Sequence, residues 1–284
     1  MDTYIDLSRF CEDADNNYPD NRLYCLVDHA GMPGLHSELL RARLPWKSLF
    51  DVSREEAALK AAPLLFPLDD EGKKEHSHFL RWVAQHGTYT SSMLLLSSPL
   101  TLDELGGRLA RRMQARVSEQ MNVLLRYFDP RVFEALLVQL TESQRDDFLG
   151  CADCWWYLNR SGVLVRQPAT FGATEGFESP LSLSATQEFA LLDASEVDQV
   201  AEQLQLTVPD LYMRMGAPQR MAFLQRQIAA ATTVGIEATH EVSLYCGLAL
   251  LYGEDFALAS PWQEILNKVR AGNSFGDAVA AENA

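Results

Sequence analysis

The sequence predicts two lobes of different class: an α/β lobe over residues 1–170, with a short mixed sheet and flanking helices, then an all-α lobe over residues 171–284. Three observations carry that reading. Short β-rich runs alternate with helical patterns through the first two-thirds of the chain, as a layered α/β architecture requires. Residues 167–180 are rich in Gly, Pro, Thr and Ser and have no apolar period, which marks a boundary. Beyond it no strand-like run of any length recurs, and helical patterns follow one another.

Residues 23–27 read as a strand ending at Asp28, followed by a Gly31-Met32-Pro33-Gly34 turn and by Leu35, Leu39, Leu40 and Leu44 at helical spacing. A second short strand covers 48–52, and Ser53 with Glu56 three positions on makes a capping box for a helix over 54–61. Residues 63–68 are a third apolar run. Phe79, Leu80 and Val83 share one side of a helix over 76–85 that His86-Gly87 closes. The most apolar segment, 89–97, reads as a buried central strand. Thr101 and Glu104 cap a helix running through Leu105, Leu109 and Met113.

Strand character resumes over 121–128, and Asp129-Pro130 opens a helix at the position where a missing N–H costs least. Residues 155–158 and 163–166 form a hairpin around 159–162. The second lobe shows helices over 184–193, 195–206, 209–215, 218–234, 239–251 and 261–271, with Gly235 and Gly253 as C-caps, Thr239 as an N-cap and a frayed tail after Gly272.

Bulk properties exclude several function classes. Twenty-four basic against thirty-nine acidic side chains give a formal charge of −15, which repels polyphosphate and favours a basic or neutral protein partner over nucleic acid. No apolar run approaches the roughly 18–20 residues of a membrane span. The acidic N-terminus lacks the basic and apolar regions of a signal peptide, so the expected location is the cytoplasm. Five scattered cysteines, an odd number, argue for free thiols in a reducing compartment.

No candidate catalytic or metal motif has the right context. Cys151 and Cys154 form a C-x-x-C, but the pair follows a helix end and leads into Trp155-Trp156, so two packed thiols are the expectation. His76 and His78 lie two apart on a helix and point in different directions, which cannot close on one ion. Asp28-His29 sits at a strand end where open α/β sheets often hold catalytic groups, yet no phosphate loop follows. No G-x-S-x-G elbow exists, and paired acids such as Asp69-Asp70 and Asp146-Asp147 read as solvated faces. No catalytic residue, cofactor or metal is therefore expected, and a binding role is. Trp155, Trp156 and Tyr157 are contiguous on a strand, so neighbours go to opposite faces. They serve either as partner anchors or as the filling of a second packed layer.

An ordered set of landmarks resembles the adaptor or chaperone family that links toxic effectors to the spike of the bacterial type VI secretion machine. Leu23-Tyr24 leading to Asp28 resembles its opening strand, and Ala62-Pro63-Leu64-Leu65 its "aPyL" segment. Trp82, His86-Gly87 and Leu94-Leu95-Leu96-Ser97 resemble its middle. The strongest match is Arg126-Tyr127-Phe128-Asp129-Pro130-Arg131-Val132, with phenylalanine where the family often has a second tyrosine. The resemblance spans residues 23–157. It implies a cytoplasmic adaptor with two protein partners, a toxin effector and the spike-tip protein, and no nucleic acid or membrane. Arg126, Tyr127, Asp129, Pro130 and Arg131 are the signature residues it singles out, and with Trp155 and Trp156 of the aromatic run they are the candidate partner-binding residues. Asp129 is expected to cap a helix, Pro130 to set its first turn and Arg131 to pair with a carboxylate. The two lobes are expected to clamp the toxin through apolar anchors with an acidic rim. The rival readings are an immunity protein and a hydrolase or transferase with its site near Asp28 and Asp129.

Overall fold

The computed structural model describes residues 5–50, 62–68, 74–90, 92–117 and 121–282; of residues 74–76 and 87–90 it describes the backbone alone. The chain divides into two compact units, Met1–Leu191 and Leu192–Ala284. In chain order the first unit holds α1 (Leu7–Asn17), β1 (Arg22–Asp28), α2 (Leu35–Ala42), β2 (Lys47–Ser48), β3 (Pro63–Pro67), α3 (Lys74–Thr90), β4 (Met93–Ser98) and α4 (Leu102–Arg111). It continues with β5 (Gln114–Arg116), β6 (Asn122–Leu124), α5 (Pro130–Gln139), α6 (Glu142–Leu149), β7 (Cys154–Leu158), β8 (Leu164–Pro168) and β9 (Leu181–Ser182).

The expected α/β lobe and helical lobe are both present. The main sheet has the order β2-β3-β1-β4-β7-β8 and is antiparallel at every pairing. Mixed pairing is confined to a three-stranded sheet, β6-β5-β9, where β5 runs antiparallel to β6 and parallel to β9. Register follows side-chain alternation. Tyr24, Leu26, Leu65, Leu94, Leu96, Trp155 and Tyr157 face one core layer, together with apolar residues of α4, α5 and α6. Leu23, Cys25, Val27, Leu64, Phe66, Met93, Leu95, Cys154 and Trp156 face a second layer shared with α1, α2 and α3. Slipping any of these strands by one residue would exchange the two sets, but both faces are apolar, so shape rather than polarity fixes the register.

Several boundaries differ from expectation. The helix over 76–85 continues to Thr90, and the strand after it starts at Met93. A helical glycine costs about 1 kcal/mol relative to alanine, less than the hydrogen bonds of the turn it would end, so Gly87 lies inside α3. Of the strand expected over 121–128, only Asn122–Leu124 is extended. Asp129 N–H bonds the Arg126 carbonyl at 3.0 Å, which turns the chain and drops Tyr127 and Phe128 into the core. The strand expected over 48–52 is present as Lys47–Ser48 and gives way to a bend at Leu49 and Phe50; residues 51–52, like the helix over 54–61 and Asp69-Asp70, lie outside the described residues. A capping box of Thr141 and Gln144 starts α6.

The second unit is helical: the long α7 (Ala185–Thr207), in which the division between units falls, α8 (Pro209–Tyr212), α9 (Ala217–Thr233), α10 (Thr239–Tyr252), α11 (Trp262–Arg270) and α12 (Phe275–Glu282). Two helices expected over 184–193 and 195–206 are one, because Ser195 Oγ donates back to the Leu192 carbonyl at 2.7 Å and leaves the helix unbroken. Thr239 is the first residue of α10 rather than its cap, which is Ala238. After Gly272 the described residues continue as α12 to Glu282. Phe275 is fully buried beside Tyr245, and the Glu241 carboxylate accepts from Ser274 Oγ at 2.7 Å and Gly276 N–H at 3.1 Å, holding the start of α12 on α10.

The boundary expected at residue 170 also moves, for a reason of charge. The stretch after β8 is strapped to the first unit by three arginines of or just after α4. Arg108 donates to the carbonyls of Gly172 and Ala173, both at 2.6 Å, and Arg111 to that of Phe177 at 3.3 Å. Arg112, fully buried, forks onto both oxygens of Glu175 at 3.0 and 3.1 Å and stacks on the Phe177 ring.

Candidate functional site

The signature block spans the turn between β6 and α5. Asp129 is the N-cap of α5: its Oδ1 accepts from Arg131 N–H at 2.9 Å, and Pro130 occupies the first turn. The same carboxylate takes the Arg131 guanidinium on both oxygens, at 3.0 Å from Nε and 2.7 Å from Nη2. One side chain thus offsets the helix's orphan donors and an arginine two residues on, an arrangement stronger than a neutral cap. Tyr127 is buried and donates its hydroxyl to the Leu109 carbonyl at 2.9 Å. Burial holds its phenol well above the ordinary tyrosine range. Phe128 is buried beside it, and the Arg126 guanidinium lies 5.7 Å from its ring centre.

Arg126 reaches away from this block to Asp28 at the end of β1, 2.7 Å from Oδ2, and it remains half exposed. Asp28 is itself nearly buried, and its Oδ1 accepts from Ala30 N–H at 3.2 Å to start a short 3-10 turn. The block is therefore tied to the central strand of the sheet. Beside that strand end, His29, Ala30, Pro33, Gly34, His36 and Ser37 line a surface depression of about 440 Å³. Among the described residues no group of three or more His, Cys, Asp and Glu side chains is placed to hold a metal.

The two tryptophans sit on opposite faces of the sheet, as strand alternation requires. Trp155 is fully buried, stacks on Phe133 at 5.2 Å and donates Nε1–H to the Leu149 carbonyl at 3.1 Å. Trp156 meets Phe10 and Tyr18 edge-on at 5.1 and 5.9 Å in the other layer. A second packed layer absorbs the indole that would otherwise face outward. Cys151 and Cys154 are buried free thiols. Burial raises both, against the lowering effect of Arg112 on Cys151 and of Tyr18 and Arg166 on Cys154, so neither has the character of a reactive thiolate.

The structure brings Arg126 to Asp28 and Asp129 to Arg131. What sequence reasoning missed is the Arg112–Glu175 clasp next to Tyr127. Its signal was visible as three arginines, Arg108, Arg111 and Arg112, at a helix end, and a lone Glu175 within a run of small residues. Burial opposes the charge of Glu175, but the Arg112 hydrogen bond and charge prevail and hold the carboxyl below its usual value.

A family model described as "Domain of unknown function (DUF4123)" matches residues 23–147, from the start of β1 to the last turns of α6. The matched span contains the Arg126–Asp28 pair and the Asp129 cap, while β7, β8 and the second unit lie outside it. No curated protein and no solved structure matches the chain.

Proposed function

We propose that this chain is a cytoplasmic adaptor that binds a toxic effector of the type VI secretion machine and promotes its loading onto the spike tip, without itself making or breaking a covalent bond. The observation that carries the reading is the family match over residues 23–147, to a family associated with type VI effector adaptors. The local chemistry supports it. The carboxylates of Asp28 and Asp129, the strongest candidates for a hydrolytic site, are each committed to a backbone cap and a guanidinium. A general base needs an oxygen free to take a proton at the substrate, and here both carboxylates serve architecture. No helix among the described residues is long and apolar enough to cross a membrane, which accords with action on a protein partner in the cytoplasm.

The test is secretion. In a strain lacking this gene, a toxin encoded beside it should vanish from the medium while other spike cargo is exported normally, and the intact gene should restore it. Undiminished export of that toxin without the chain rejects the proposal. Protection of cells that make the toxin, by this chain alone, would reassign it as an immunity protein.

A further inference from the structure

The helical unit carries a group of exposed apolar side chains around the end of α10. Gly253, at φ 99°, ends α10 and reverses the chain. The backbone then passes through the short turn Phe256–Leu258 into α11, and the Tyr252 ring meets the Trp262 ring at 5.3 Å across the loop. Phe256 is buried beneath, 5.1 Å from Trp262. Beside these rings in the chain, Leu251, Tyr252 and Leu258 are 56%, 64% and 72% exposed, and Leu244, two turns back on the face of Leu251, is 37% exposed. Single exposed leucines are ordinary, whereas leucines grouped around a half-buried Trp and an exposed Tyr form the composition of an interface centre.

Along this stretch of the sequence the charge has one sign. Residues 241–264 contain four acidic side chains, Glu241, Glu254, Asp255 and Glu264, and no Lys or Arg. Glu254 is paired with Arg226, and Glu241 is taken up by the start of α12. The carboxylates of Asp255 and Glu264 are exposed and make no hydrogen bond or ion pair among the described residues. An apolar centre with unpaired carboxylates at its rim fits a partner segment with an apolar anchor flanked by Lys or Arg, and disfavours acidic or uniformly apolar partners.

We propose that this patch, formed by Leu251, Tyr252, Leu258 and Trp262 with Asp255 and Glu264 at its rim, is the docking site for a basic, apolar-bearing segment of the effector. The inference rests on the adaptor reading and gives it a location. Tyr252 and Trp262 supply rigid area at low entropic cost, and the two carboxylates set orientation and speed encounter.

The test measures the dissociation constant of the purified full-length chain for the purified neighbouring toxin by calorimetry, at low and at physiological ionic strength. Tyr252→Ala and Leu258→Asp should each weaken binding about tenfold or more, with an unchanged melting temperature because both side chains are exposed. The double variant Asp255→Lys, Glu264→Lys should weaken binding at low salt and flatten its salt dependence. Leu40→Asp, at an exposed leucine of α2, should bind as the wild type does. Wild-type affinity in both patch variants overturns this inference while leaving the adaptor reading intact. Light scattering that shows a wild-type dimer, made monomeric by Leu258→Asp, assigns the patch to a second copy and overturns it too. A wild-type chain that binds no toxin at all removes the adaptor reading, and this inference with it.

Discussion

Asp129 satisfies two demands at once, the orphan N–H groups of α5 and the Arg131 guanidinium. Asp129→Ala removes both and should cost about 1–2 kcal/mol, the range for loss of a helix cap; Asp129→Asn, which retains a cap oxygen, should cost less. Urea unfolding checks the order, and equal stability of all three proteins would contradict it. Glu175 is the counter-charge of a fully buried arginine. Glu175→Ala strands that charge and should destabilise by about 3–5 kcal/mol, the cost of breaking a buried pair from one side. The pH dependence has a defined sign. The folded-state pKa of Glu175 is depressed below its reference value of 4.5, so the folded protein binds the proton less readily than the unfolded chain. The stabilisation is fully present above pH 4.5 and is lost as pH falls through the lower folded value. Acid unfolding of Glu175→Gln should be correspondingly flatter across that window, and a variant with the wild-type acid profile would refute the assignment.

At the scale of elements, α12 shows how a tail is built into a core. Phe275 fills a fully buried site beside Tyr245, so Phe275→Ala should cost about 3–5 kcal/mol. Chain ending at residue 273 should lose the packed helical unit's cooperative melting, seen by calorimetry; an unchanged transition would show that the helix is dispensable. That helix was hard to read in the sequence because its apolar stripe, Phe275, Ala278 and Val279, is a single turn in an alanine-rich tail, and its anchor, Glu241, lies more than thirty residues away. The same limit hid the strap. Residues 170–180 have the composition of a linker, and only the tertiary placement of Arg108, Arg111 and Arg112 turns them into part of the first unit. Features governed by near neighbours were legible: the Thr101–Glu104 capping box, the Asp129-Pro130 helix start, the hairpin of β7 and β8, and β4 as a central strand all stand as expected. Part of the local geometry of the signature block was legible. Asp129 as a cap could be read from its neighbours, but its choice of Arg131 as ion partner, and the choice of Asp28 by Arg126, depend on where the turn before α5 points the side chains. The indoles of Trp155 and Trp156 could not be assigned until helices were found on both faces of the sheet.

For the whole molecule, a charge of −15 and a signature spent on internal order give one coherent account. The first unit supplies a rigid scaffold, with Arg126 and Asp129 stitching β1 to α5. The function proposed for it is recognition of another chain. An acidic adaptor should engage a basic partner with an association rate that falls as salt rises, and stopped-flow mixing with the toxin at graded ionic strength reads that slope directly; a salt-independent rate would remove electrostatic steering from the account. The most direct measurement of the central claim is co-purification at equilibrium. Affinity-tagged chain, produced together with the neighbouring toxin, should retain that toxin as a discrete complex through size-exclusion chromatography; a toxin that stays soluble and elutes apart from the chain would contradict it.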